Sequence, residues 1–307
     1  MPGDSHVHSE WSWDTRVGDM AGTCARAVEL GLPAVAFTEH LDHTAWRIAL
    51  EGPYANDRLT AAADADGILT PPAFDSAGYL AAVEHCRDRF PGLRVLSGLE
   101  LGEPHRNAEQ CSRILAEGTF DRVLGSLHSL PDQGTYAEPW GLYPHRDPHE
   151  VVREYLTEVA TMMSTSGLFS VLAHIDYPVR SWPEAQEGPF DPRSFEEEFR
   201  AALRATARSG RALEINTRLP LHPTVLAWWH QEGGDAVTFG SDAHLPALVG
   251  HGFAEAAQLA EAHGFRPGRD PHDPWSRRRP VGGGLPSPGP GDRIRLPHLD
   301  SNQEPAG

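Results

Sequence analysis

The sequence predicts an α/β fold: a barrel of seven β/α units, closely related to the eightfold (TIM) barrel. Three observations predict it. Short apolar runs alternate with amphipathic stretches of helical length, the pattern of parallel strands joined by crossover helices. Seven such units follow one another before the pattern stops near Arg266. The 307-residue length is one that α/β barrels occupy as a single domain.

Strands are expected near 4–8, 34–39, 94–101, 122–128, 169–175, 212–217 and 236–242. Helices are expected near 18–31, 76–90, 107–116, 148–165, 194–209, 222–232 and 253–263. Asp147-Pro148 and Asp191-Pro192 each place a capping residue before a proline that suits a first helical position, and Gly31, Gly167 and Gly210 follow helix ends. Residues 44–75 show no sustained period and are expected to form a long loop over the barrel mouth. The domain is expected to span 1–266. The stretch 267–307 is rich in Pro, Gly and Arg, lacks the apolar content to offset its ordering entropy, and is expected to be disordered and, from about residue 275, dispensable for folding.

Composition excludes several chemistries. The net charge is −17, and every one of the 26 basic residues is arginine. A chain without lysine has no Schiff-base lysine, no phosphate-loop lysine and no carboxylated-lysine metal bridge. The acidic balance counts against nucleic acid as the main partner. A small anion could still be attracted if bound metal inverts the local charge. No apolar run approaches the length needed to span a bilayer, and MPGDSHVHSE lacks the charged and apolar regions of a signal peptide. Cys24, Cys86 and Cys111 show no paired spacing, which together with the N-terminus gives a cytoplasmic expectation.

The strand ends carry the chemistry. His6 and His8 lie two residues apart on the first strand and so share a face, and Asp242 and His244 repeat that spacing at the last. Between them stand His40 in AFTEH, Glu100 in LSGLELG, His128 in LGSLHS and His174 in VLAHID, while Asp14 follows the first strand. In β/α barrels the C-terminal strand ends form the active site. Six histidines and three carboxylates on one rim would be strongly destabilising without a cation. A mixed His/carboxylate set suits zinc, manganese or iron.

The segments DSHVHSEWSWD, FTEH, GLELG, GSLHS, AHIDYP and GSDAH resemble the PHP (polymerase and histidinol phosphatase) family, and within it the histidinol-phosphatase branch. The resemblance runs from about residue 4 to about residue 266. It implies a distorted (β/α)7 barrel holding two to three divalent ions. One ion would be held by His6, His8, Glu100 and Asp242. Glu100 would bridge to a second, held by His128 and His174. Asp14, His40 and His244 would hold a third, with Asp14 standing where some relatives have histidine. Paired ions make hydroxide available at neutral pH for attack on phosphorus, so no covalent intermediate on Ser or Cys is needed.

Other residues are weaker candidates. Asp4 is placed to orient His6. Asp176, two after His174, would face the site and protonate the leaving alcohol. Arg180, Arg218 and His43 would contact a small anionic phosphate-ester substrate, the arginines by forked hydrogen bonds. The favoured activity is hydrolysis of L-histidinol phosphate in histidine biosynthesis. The alternatives are a nucleotidase or oligonucleotide phosphoesterase, disfavoured by the acidic composition, and a C–N hydrolase of the amidohydrolase type, disfavoured by the missing lysine. A metal-binding regulatory module with a dead site fits poorly with a complete ligand set.

Overall fold

The computed structural model describes residues 1–15, 17–48, 57–270 and 272–277. Part of the expected 44–75 loop, residues 49–56, and the tail from 278 onward lie outside the described residues. In chain order the elements begin β1 (Asp4–Val7), α1 (Met20–Glu29), β2 (Ala34–Leu41), β3 (Trp46–Arg47), α2 (Asp57–Ala62), β4 (Ile68–Leu69), α3 (Ser76–Arg89) and β5 (Arg94–Gly102). They continue α4 (Ala108–Leu115), β6 (Arg122–Ser126), β7 (Leu130–Asp132), β8 (Thr135–Ala137), α5 (Pro139–Leu142), α6 (Pro148–Thr165) and β9 (Val171–Leu172). Last come α7 (Glu184–Glu187), α8 (Glu196–Arg208), β10 (Ala212–Asn216), α9 (Pro223–Gln231), β11 (Ala236–Gly240), α10 (Phe253–Ala262) and β12 (Trp275–Ser276).

The main sheet runs β1-β2-β5-β6-β9-β10-β11-β12, with every pair parallel except β11–β12. The seven expected strands are therefore its parallel part. They close on themselves at one end only. Just past β11, Ala243 bridges Val7 in parallel, and the amides of His8 and Asp242 donate to the carbonyls of Ala243 and His6 at 2.9 and 2.8 Å. At the other end β12 takes the free edge of β11, with Val237 opposite Trp275.

Strand alternation divides the side chains into two sets. Val35, Phe37, Leu99 and Leu101 enter the large core beneath the helices, where Tyr79, Val83, Val151 and Trp229 are buried with them. Leu124, Val171, Ala173 and Ala212 form a separate small apolar cluster. Glu100 is the register partner of Leu124, so it points to the same inner face. The barrel interior is thus apolar at its base and ionisable at its C-terminal end. The helix signals read from the sequence operate as expected at α6, where the Asp147 carboxylate accepts from the amides of His149 and Glu150 at 2.8 and 3.1 Å. Asp191-Pro192 instead opens a 3-10 turn, and α8 starts four residues later.

Two expectations require correction. The 44–75 segment is not a featureless loop: β3 and β4 pair with β8 and β7 as a second sheet, ordered β4-β3-β8-β7. Trp46, Ile48 and Leu69 bury there against Trp13, Leu59, Tyr136 and Trp140. Two-residue strands are too short to show a period, so only their contacts reveal them. The tail also begins later than Pro267. Trp275 is buried, with its ring centroid 4.8 Å from that of Phe239 in edge-to-face contact. One aromatic anchor orders a stretch whose Pro/Gly content signals disorder. Trp275→Ala is expected to destabilise the fold by about 3 kcal/mol, and truncation before Trp275 by at least as much. Denaturant unfolding measures both.

Candidate metal centre

All nine expected donors converge at the closed end of the barrel. They lie at the floor and wall of a cavity of about 570 Å³ lined by Asp14, His40, Glu100, His128, His174, Asp242 and His244. His6 and His8 are buried beneath. At the centre is Glu100, fixed by β2–β5 pairing, in which His40 sits directly opposite. Its Oε2 lies 3.2 Å from His6 Nε2, 3.4 Å from His8 Nε2 and 3.2 Å from His40 Nδ1. Its Oε1 lies 2.7 Å from His174 Nε2 and 3.2 Å from His128 Nε2. On the other side of His8, Asp242 Oδ1 is 3.5 Å from its Nε2, and Asp14 Oδ2 is 2.9 Å from His244 Nε2 and 3.6 Å from His40 Nε2.

The partners of the outer ring nitrogens set the protonation of the inner ones. His6 Nδ1 is 2.7 Å from Glu214 Oε1 and His128 Nδ1 is 3.2 Å from Asp42 Oδ1, and a carboxylate only accepts. His244 Nδ1 lies 3.0 Å from the Asp242 carbonyl oxygen, which also only accepts. His8 Nδ1 is 3.0 Å from Ser12 Oγ, whose own proton goes to Glu39 and which already accepts from the His40 amide. In all four rings Nδ1 therefore carries a hydrogen, and Nε2 is the atom turned inward. His6 and His8 Nε2 face each other at 3.0 Å, a spacing that either a proton on one of them or a cation beside both makes favourable. Glu100 Oε2 is buried and accepts no hydrogen bond. Imidazole lone pairs converging on a carboxylate oxygen are the donor set of a divalent cation.

The electrostatics agree. Burial works to raise the Glu100 carboxyl, but His6, His40 and His128 outweigh it and hold it well below the usual range. Burial also works to lower His6, yet Glu214, Glu100 and Asp242 push it well up, so the surroundings favour positive charge at that point. Burial, with His40 and His244 nearby, holds His8 at about 3, neutral and able to coordinate. Groups close enough to share one ion include His6-His8-Glu100, His6-His174-Asp242, Glu100-His128-His174 and His8-His40-His244, each with ligand atoms within 4.8 Å.

Several residues that shape the site escaped the sequence reading. Glu214 is the main one: it binds the His6 ring, and its Oε2 accepts from the His174 amide at 2.9 Å. Its signal was a carboxylate inside an apolar strand, the one strand with no ligand at its end. Asp42 lies two residues after His40 and contacts both His128 and His40. Glu103 accepts from the amides of His128 and Ser129 at 2.7 and 2.9 Å. Two glycines leave the room these carboxylates occupy. A Cβ at Gly240 would collide with the Glu214 carboxylate and the His6 Cβ, and one at Gly102 with the Asp42 carboxylate.

The weaker candidates divide. Arg180 and Arg218 line the cavity, with Nη atoms 2.6 and 3.6 Å from Asp242. Asp4 binds the His6 amide, not its ring, and also the amides of Ser241 and Gly250 at 3.0 and 2.9 Å, tying β1 to the loop that carries Asp242. Asp176 and His43 are corrected: neither lines the cavity. β9 ends at Leu172 and His174 has φ 21°, so the two-residue alternation that aimed Asp176 inward no longer applies. Burial lifts the Asp176 carboxyl to about 6. His43 is half-buried.

Known proteins bear on this arrangement. The family model for the PHP domain matches residues 4–218. The chain belongs to the PHP domain family. Among PHP relatives, the histidinol-phosphatase of Lactococcus lactis subsp. lactis is 26% identical over 274 residues, covering 85% of this chain and 91% of the relative. A Thermotoga maritima protein named "Probable histidinol-phosphatase" is 32% identical over 269 residues, covering 85% and 92%. The solved structure of the L. lactis histidinol phosphate phosphatase, complexed with zinc, L-histidinol and phosphate, superposes with a TM-score of 0.72. It shares 22% identity and covers 86% of this chain and 94% of its own, which establishes the shared PHP barrel. No helix among the described residues is long and apolar enough to cross a membrane.

Gly240→Ala should displace Glu214 from His6, and Glu214→Gln should weaken the same contact. Each is expected to lower metal affinity by about 10- to 100-fold, read by metal titration of the folded, metal-depleted protein.

Proposed function

We propose that this PHP protein is a metal-dependent phosphomonoesterase that hydrolyses L-histidinol phosphate to L-histidinol and phosphate, a step of histidine biosynthesis. The observation that carries the reading is the convergence of nine donors, four of them with Nε2 turned inward, in a chain whose relatives are named histidinol-phosphatases. The ligands would be His6, His8, Asp14, His40, Glu100, His128, His174, Asp242 and His244, holding two to three divalent ions. Zinc suits the imidazole-rich set, and the L. lactis neighbour was solved with it. Bound ions of this kind activate water at neutral pH and draw charge from phosphoryl oxygens.

The chain's own residues supply orientation and charge. Glu214, Asp42 and Ser12 hold three rings with Nε2 inward. Arg180 is held against Asp242 and stacks its guanidinium 5.1 Å from the Tyr177 ring centroid, leaving its remaining donors toward the cavity for a phosphoryl oxygen. Arg218 is half-exposed at the rim and would meet the incoming anion first. Trp13, Trp46 and Trp140 line the cavity with apolar rings, which lowers the local dielectric and strengthens each of these interactions. Three buried free thiols fit the expected cytoplasmic setting.

Phosphate release from L-histidinol phosphate is the direct test. It should be lost on chelation, with a lowered Tm, and return with zinc or manganese. Full activity after exhaustive chelation would overturn the reading. Glu100→Gln removes one coordinating oxygen and the negative charge that five imidazoles share. It is expected to lower metal content and reduce kcat by about 10³-fold, or ~4 kcal/mol of barrier, measured by metal analysis and steady-state kinetics.

A further inference from the structure

Arg180 reaches the cavity from a turn that does not hold itself. It lies in a 3-10 turn, Tyr177–Ser181, between β9 and α7, and so short a run of 3-10 backbone has poor hydrogen-bond geometry of its own. The far end of the arginine is fixed, with Nη2 2.6 Å from Asp242 Oδ2. The near end is fixed by Trp182, the residue that closes the turn and donates its amide to the Val179 carbonyl at 3.1 Å.

The Trp182 indole is wedged among four rings. Its centroid lies 6.1 Å from Tyr143, 5.2 Å from His149, 5.3 Å from Phe190 and 6.1 Å from Phe195, with interplanar angles of 77° to 85°. Edge-to-face packing is an arrangement that ring quadrupoles favour. The indole N–H donates to the Gly188 carbonyl at 3.0 Å. Gly188 has φ 75° and ψ −176°, a backbone region that is essentially glycine's own, so a Cβ there would strain the chain that presents this carbonyl. Tyr143 also donates its hydroxyl to the Pro178 carbonyl at 2.8 Å, two residues before Arg180. Arg180 and Ser181 line the cavity, whereas Trp182 and its four rings do not. The box therefore grips the turn from outside the cavity.

We infer that Trp182 is a positioning residue for phosphoryl recognition: boxed by four rings, it anchors the turn that aims Arg180 at an anion held over the metal ligands. The inference rests on the phosphatase reading of the same cavity and adds to it a residue outside that cavity. With both ends held, the guanidinium keeps one geometry. With the backbone end released, the pair with Asp242 alone decides where it sits, and the donors meant for a phosphoryl oxygen turn with it.

The test titrates inorganic phosphate into the zinc-loaded protein by calorimetry. Trp182→Ala should weaken phosphate binding about 10-fold, the size of one lost charged hydrogen bond, with zinc content unchanged. Trp182→Phe keeps a ring in the box and should recover most of that affinity. A double-mutant cycle separates positioning from general loosening. In an Arg180→Met background, Trp182→Ala should have no further effect, because the arginine through which it acts is gone. Unchanged phosphate affinity in Trp182→Ala overturns the inference, and so does a loss of the same size that persists in the Arg180→Met background. If Trp182→Ala does not fold, Gly188→Ala strains the carbonyl that holds the indole and should weaken phosphate binding with the same dependence on Arg180; unchanged affinity there overturns the inference as well. If L-histidinol phosphate is not hydrolysed while phosphate affinity still responds to Trp182 through Arg180, the substrate assignment fails and the positioning role stands.

Discussion

The site depends on one buried carboxylate. Glu100 points into the barrel from the middle of the sheet, and five imidazoles place a nitrogen within 3.4 Å of its oxygens. A lone carboxylate there would carry a large desolvation penalty, and converging lone pairs would repel one another. A divalent cation resolves both at once. The register of β2, β5 and β6 serves this arrangement, since it sets His40 and Leu124 opposite Glu100 on its two sides. The apolar base and ionisable mouth of the barrel are two parts of one arrangement.

Ligand geometry is held by an outer layer of acceptors and by local backbone strain. Glu214 is the strongest case, since it fixes a ring from β1 and an amide after β9 while standing on β10. Gly240 is required for that reach. His174 at φ 21° and Asp242 at φ 53° occupy backbone conformations that non-glycine residues seldom adopt. Both lie just past strand ends. The bond from the Ser241 amide to the Asp4 carboxylate and the bond from the Asp242 amide to the His6 carbonyl stabilise the second of these turns. Such strain persists only where the surrounding bonds over-determine the chain.

The barrel is closed unevenly, and this shapes the cavity. Parallel pairing of β1 with β11 is confined to the donor end, where a misplaced strand would separate His6 from Asp242. Opposite that end β12 fills the open edge, and above the donors the small sheet supplies an aromatic wall. One architecture therefore offers a metal-binding floor and a separate aromatic wall.

The order of strands and helices was legible in the sequence because each unit is long enough to show its period and its caps. The nine donors were legible because they recur at strand ends, where a parallel barrel gathers them. Short elements were not: β3, β4 and β12 have two residues each, carry no period, and form only because Trp46, Leu69 and Trp275 find apolar partners distant in the chain. Asp176 shows the limit of alternation, which fails once the backbone leaves the extended region at His174. Glu214 and Asp42 take their roles from side chains remote in sequence, and no local pattern records which ring will face them. The sequence by itself determined the order of the barrel units and which imidazoles and carboxylates stand at their strand ends, since both follow from residue type and spacing. Which nitrogen of each histidine faces inward and which acceptor holds the other were decided only when the strands closed, because those depend on contacts that exist in three dimensions alone.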